Sequence, residues 1–156
     1  MILGIDPGFA RVGWSLVVGG AKVSLTDFGC WETESSETYS KRLEKIYGNI
    51  SDVIREYRPK SVAVEKLFFQ SNQKTVIDVA QARGVVLLAA AHHEIAIYEY
   101  TPLQIKVALT GYGRADKLQM QKMVQRIFGL TEIPQPDDAA DALAVAYCHS
   151  VNARVE

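Results

Sequence analysis

Cysteine is scarce in this chain: Cys30 and Cys148 are the two among 156 residues, and neither sits in a CxxC pair or a Cys/His ligand spacing. A disulfide framework and a structural zinc site are therefore excluded as organising devices, and a reducing cytoplasm is the expected setting. Excess charge of either sign is missing too. With 17 Lys plus Arg against 18 Asp plus Glu, the formal charge is −1, so any nucleic-acid contact must be local and not a property of the whole surface. The opening residues MILGIDPG carry no basic leader, and no uninterrupted apolar run reaches the roughly 18 residues of a membrane span, so neither export nor a membrane partner is expected. Internal repeats, low-complexity tracts and an interdomain linker are absent. A chain of this length buries roughly two-thirds of its unfolded surface in one ordinary core, which predicts a single domain over residues 1–156.

What is present alternates between strand and helix patterns. ILGID at 2–6 and VGWSLVV at 12–18 read as strands, and Gly19-Gly20 predicts a tight turn into a third over KVSLTDFGCWE, residues 22–32. From about Ser36 to Tyr57, the residues Leu43, Ile46, Tyr47, Ile50, Val53, Ile54 and Tyr57 recur at helical spacing, with Pro59 just beyond. SVAVE is a short strand, KTVIDVAQARGVVLLAAAHHE a helix, and IAIYEY a further strand. Such alternation predicts parallel crossovers added to an antiparallel meander. Thr101-Pro102 starts a brief helix that stops near Gly111, and Met120, Met123, Val124, Ile127 and Phe128 form a helical stripe ending at Gly129. Pro134 and Pro136 then break the chain before a last helix. The sum is one α/β domain with a mixed sheet.

That last helix opens as QPDDAADALAVAY, three carboxylates followed by an almost wholly apolar run. On a helical wheel Asp137, Asp138 and Asp141 fall within about a 100° arc that turns apolar at Ala144, Val145 and Cys148. Capping is the expected role of Asp137. A solvated stripe would stay polar along its length, so Asp138 and Asp141 instead project from the rim of a buried helix. Asp6 ends a strand whose same-side neighbours are Ile2 and Gly4, and Glu65 ends one whose same-side neighbours are Ser61 and Ala63. Ala139, Ala140, Ala142, Ala144 and Ala146 let the helix approach such a surface closely. Carboxylates gathered this way repel one another unless cations hold them ionised. Oxygen-only ligation suits Mg²⁺ or Mn²⁺, and two such ions about 4 Å apart serve phosphodiester hydrolysis.

The stretches ILGIDPG, AVEKLFF, QARG and DAADALAVA, in this order and spacing, resemble the RuvC-like Holliday (crossover) junction endodeoxyribonucleases over nearly the whole chain. The resemblance implies an α/β, ribonuclease H-like fold, a mixed five-stranded sheet with helices on both faces. It places the catalytic and metal-binding acids on Asp6, Glu65, Asp138 and Asp141, with two Mg²⁺ (or Mn²⁺) per site, and passes over Asp137. It further implies a homodimer that makes paired nicks in four-way junction DNA during recombination and repair, leaving 5′-phosphate and 3′-hydroxyl ends, and works with a branch-migration motor. Two-fold symmetry suits a symmetric substrate. The QARGVVLLAAAHHE helix is implicated in the dimer interface, although the sequence supports equally a helix packed only on its own sheet.

By the same resemblance Phe68 contacts bases at the opened junction, while Phe69 stays open between stacking and packing. Lys106 and Lys117 match basic positions near the cleaved strand, and Lys74, Arg83, Arg114 and Lys122 are candidates to extend that DNA-binding surface. His92, His93 and His149 read as structural or exposed. GYG is too short for a nucleotide loop. The rival readings are another ribonuclease H-like nuclease acting on RNA/DNA hybrids or RNA, and a non-catalytic junction scaffold. The scaffold is disfavoured because a pure polyanion binder gains nothing from carboxylates beside the phosphates.

Overall fold

The computed structural model describes residues 1–66 and 73–153, with the backbone alone at 73–74. Phe68, Phe69 and the side chain of Lys74 lie outside the described residues. Five strands, β1 (Ile2–Asp6), β2 (Arg11–Val18), β3 (Ser24–Glu32), β4 (Ser61–Glu65) and β5 (Ala96–Tyr100), form one sheet in the order β3-β2-β1-β4-β5. Pairing from β1 through β2 to β3 is antiparallel, and β1, β4 and β5 run parallel. Parallel neighbours need long crossovers. These are α1 (Tyr39–Tyr57) and α2 (Gln73–His92), while α3 (Pro102–Thr110), α4 (Lys117–Phe128) and α5 (Asp137–Asn152) follow the sheet.

The period-2 alternation of β1 sends its residues to two cores. Leu3 and Ile5 pack with Ile46, Ile50 and Ile54 of α1 and Ala82 and Val86 of α2. Ile2 points the other way, with Ala63 and the α3, α4 and α5 residues Ile105, Val124 and Leu143. Helices thus cover both faces of the mixed sheet, as expected.

Two expectations need correction. No tight turn joins β2 to β3: Val18 pairs with Ser24, so residues 19–23 form a longer loop, and the register slips between Leu16 and Val17. The first helix begins at Tyr39 and not near Ser36, because Glu37 donates its backbone N–H to Glu34 at 3.2 Å in a turn ahead of the N-cap Thr38. The caps of α3 were legible, with Thr101 and Gln104 forming a capping box and Gly111 a left-handed C-cap.

Within α2, Thr75–His92 is long and apolar enough by composition to cross a membrane, with a mean hydropathy of 1.2. Asp78 and Arg83 interrupt it, and Ala82, Val86, Ala89 and Ala90 are buried against the domain, so it serves here as a domain helix. Ile77 and Leu88 are 65% and 60% exposed on its outer side.

Helix α5 meets the sheet backbone to backbone. A Cβ on Gly4 would stand 2.4 Å from the Ala142 carbonyl oxygen, and one on Gly13 only 1.9 Å from that of Asp138. Buried Ser15 donates its hydroxyl to the Ala142 carbonyl at 2.9 Å, which fixes the helix along its axis. Toward its other end, buried His149 joins Tyr100 Oη at 2.7 Å and Ser61 Oγ at 2.9 Å, tying α5 to β5 and β4. Replacing His149 with Ala is expected to cost about 3 kcal/mol, since a cavity and lost hydrogen bonds add. Urea unfolding should show a lower midpoint with an unchanged slope, and an unchanged midpoint would refute the role.

Candidate active site

Asp6 and Glu65 end adjacent parallel strands, one step beyond the pairing of Ile5 with Val64. Both project from the face that α5 covers, because they share parity with Gly4 and Ala63. Asp138 occupies the first turn of α5 and Asp141 the next, directly above Gly13 and the end of β1. Small residues on the strands and alanines on the helix are what allow these acids to approach one another.

The electrostatics record that proximity. Asp6 is held well above the ordinary carboxylate range by burial first, then by the charges of Asp141, Glu65 and Asp138, with Lys117 opposing. Glu65 is pushed up to about 7 by burial and by Asp141, against Lys106. Asp141 rises to about 6, again through burial first, with Lys117 opposing and Asp137 and Asp138 reinforcing. The donor set fits a hard divalent ion by its chemistry, oxygen atoms whose mutual repulsion a cation relieves. Among the described residues no group of three His, Cys, Asp or Glu is drawn together closely enough to chelate an ion as it stands.

A pH effect follows. Unfolded carboxylates titrate near 4, so between about pH 4 and 7 the folded chain binds more protons than the unfolded one. The stability contributed by these acids is complete below about pH 4 and is lost as pH rises through the values near 6 and 7. Saturating Mg²⁺ should therefore raise the melting temperature more at about pH 8 than at about pH 5. An equal or larger shift at the lower pH would contradict this account of the cluster.

Beside Glu65 and Asp141 opens a cleft of about 250 Å³. Lys106 of α3 and Lys117 of α4 line it over an apolar floor of Pro102, Ile105, Met120 and Ala144. The two expected lysines thus join the acids. Arg114 is exposed in the α3–α4 connection and Lys122 is exposed on α4, and neither lines this cleft. Arg83, expected on the DNA-binding surface, is instead ion-paired with Glu99 of β5, and its Nε is buried without a hydrogen-bond partner. It follows buried Ala82 on α2, so the helix turns it toward the sheet.

Asp137 is also corrected. Pro136 is the N-cap and Asp137 makes no capping bond. Its carboxylate instead receives Lys117 Nζ at 2.6 Å and Gln121 Nε2 at 2.8 Å, and Lys117 holds it below the usual carboxylate range. Lys117 and Gln121, one helical turn apart, grip the two oxygens of one side chain. This tie joins the first turns of α4 and α5, and sequence reading missed it. The Asp116–Gln119 capping box that fixes the start of α4 was missed as well, although its Asp-x-x-Gln spacing was readable.

Comparison with known proteins finds relatives along nearly the whole chain. The family model described as crossover junction endodeoxyribonuclease RuvC matches residues 2–149. The RuvC protein of Natranaerobius thermophilus is 52% identical over 96% of this chain and 94% of its own. That of Desulfitobacterium hafniense is 53% identical over 96% and 92%. A Thermus thermophilus RuvC structure in complex with Holliday junction substrate superposes with a TM-score of 0.92 at 38% identity, covering 99% of this chain and 94% of that one. The yeast mitochondrial Holliday junction resolvase, at 11% identity and a TM-score of 0.70 over 96% of this chain and 77% of that one, shares the fold alone. The architecture is that of the ribonuclease H-like class.

Proposed function

The chain belongs to the RuvC family of crossover junction endodeoxyribonucleases, and on that premise we propose that this Holliday junction resolvase cuts through the cluster of Asp6, Glu65, Asp138 and Asp141. The observation that carries the assignment is the convergence of the ends of β1 and β4, which bear Asp6 and Glu65, on the first two turns of α5, which bear Asp138 and Asp141, beside two lysines. A polyanion binder without catalysis would not crowd negative charge there.

Each side chain has a part in the hydrolysis. Lys106 and Lys117 bind the non-bridging oxygens of the phosphate and keep it beside the acids. The apolar floor of Ile105, Met120 and Ala144 limits water around them and strengthens those contacts. Held by Asp6, Glu65, Asp138 and Asp141, two Mg²⁺ (or Mn²⁺) ions would supply activation of the attacking water and charge stabilisation for the departing 3′ oxygen. The carboxylates, fixed on two strand ends and one buried helix, orient the water for attack in line with that oxygen. The bond from phosphorus to the 3′ oxygen breaks, leaving a 5′-phosphate and a 3′-hydroxyl.

A homodimer acting on both strands is part of the same reading. Exposed Ile77 and Leu88 on α2 support a subunit interface there, since apolar side chains on one helix face gain from being covered. A cytoplasmic setting, a branch-migration motor as partner and base contacts by Phe68 rest on the family alone. The decisive experiment offers the protein and Mg²⁺ a synthetic four-way junction, a linear duplex and an RNA/DNA hybrid, each strand end-labelled. Paired symmetric nicks in the junction are expected. Preferential cutting of the hybrid would sink the proposal in favour of another ribonuclease H-like activity.

A further inference from the structure

A second cavity, of about 620 Å³, opens on the other side of the acids from the lysine cleft, and Asp138 lines it. Its walls include Gly8 and Phe9 of the turn after β1, Arg11 of β2, Arg42 of α1 and Asp78 of α2. Arg42 is held there with unusual economy of motion. Its Nε–H donates to Thr33 Oγ1 at 2.9 Å, and that buried hydroxyl donates in turn to the Phe9 carbonyl at 2.7 Å. The guanidinium lies 3.9 Å over the Phe9 ring centroid, and Phe9 stacks on Tyr39 at 4.2 Å. The flat face and the Nε edge are thus committed. Among the described residues, the two terminal amino groups of Arg42 carry no hydrogen bond or ion pair.

We infer that Arg42 is the core of a second phosphate subsite, which grips by a two-pronged hydrogen bond a backbone phosphate of the cleaved strand on the side away from Lys106 and Lys117. The inference rests on the nuclease reading above. A guanidinium whose plane is fixed in advance loses little freedom on forming a bidentate pair with phosphate. The two cavities have the acid cluster as their common boundary, with Glu65 and Asp141 on one side and Asp138 on the other. A strand laid across the acids therefore meets fixed positive charge both before and after the cut. Other charges in the cavity set where the phosphate sits. Arg11 pairs with Glu32 at 3.2 Å on an exposed rim. Asp78 accepts the Tyr39 hydroxyl at 2.8 Å and repels phosphate from the far wall, leaving the Arg42 side.

The test is junction binding without divalent ions across a salt series, together with a set of junctions each carrying one neutral methylphosphonate near the cleavage site. Arg42→Gln should weaken binding roughly tenfold and flatten the slope of log affinity against log salt by about one. One methylphosphonate position, on a single side of the cut, should weaken the wild type yet leave Arg42→Gln unaffected. A merely structural clip would change neither the slope nor this pattern. Asp78→Asn provides a variant that leaves the stack intact, and it should tighten binding by two- to threefold on the scale of a single surface charge. An unchanged salt slope in Arg42→Gln, no position whose effect Arg42 accounts for, or unaltered binding by Asp78→Asn overturns the inference. Failure of the wild type to prefer the junction over duplex would instead strike the function itself.

Discussion

Asp141→Asn should lower junction cleavage by at least about a thousandfold while sparing junction affinity, because electrostatic and metal-binding groups at a reacting phosphate supply several kcal/mol of transition-state stabilisation. The substitution keeps the size of the side chain and removes its charge. Asp6 and Glu65, both raised in part by Asp141, lose that repulsion. The variant should therefore melt a few degrees higher than the wild type when no divalent ion is present, and gain less from Mg²⁺. Single-turnover cleavage, a binding isotherm and thermal melts with and without Mg²⁺ check all three. Retained cutting would remove Asp141 from the site, and a lower melting temperature without Mg²⁺ would contradict the repulsion argument.

The second large effect is expected at a residue that carries no charge and no side chain. Gly13→Ala puts a methyl group 1.9 Å from the Asp138 carbonyl oxygen, and neither backbone has a flexible end that could yield. The helix must lift from the sheet, at a cost of about 3 kcal/mol or more. Lifting it also moves Asp138 and Asp141 away from Asp6, so cleavage should fall at least about a hundredfold even below the new melting temperature. Gly48→Ala is the control, since a Cβ there meets nothing within 4 Å on an α1 helix. If Gly13→Ala cuts and melts like the wild type, direct seating of α5 on β2 is not what aligns the acids.

Much of this was legible from residue spacing. The alternation in ILGID and SVAVE told which side Asp6 and Glu65 would face, and the alanines of the last helix announced close approach. Both statements concern local periodicity, which a single chain displays openly. What escaped were contacts across the fold whose partners are individually ordinary. Asp137 looked like a cap because it begins a helix, yet Pro136 already holds that position and Lys117 and Gln121 arrive from another helix. Arg83 looked like a surface cation, and only the docking of α2 beside β5 shows that Glu99 claims it. Arg42 sat in an unremarkable helical run, its meaning dependent on Phe9 and Thr33 from a distant turn and strand end.

The bond from Ser15 to the Ala142 carbonyl spans 127 positions of chain, and it implies an order of events during synthesis. Two of the four proposed acids, Asp138 and Asp141, lie on α5, which is made after all five strands of the sheet. A polypeptide that displays only β1 to β5 should therefore lack half of the proposed site, and a chain cut short before residue 137 should leave junction DNA uncut.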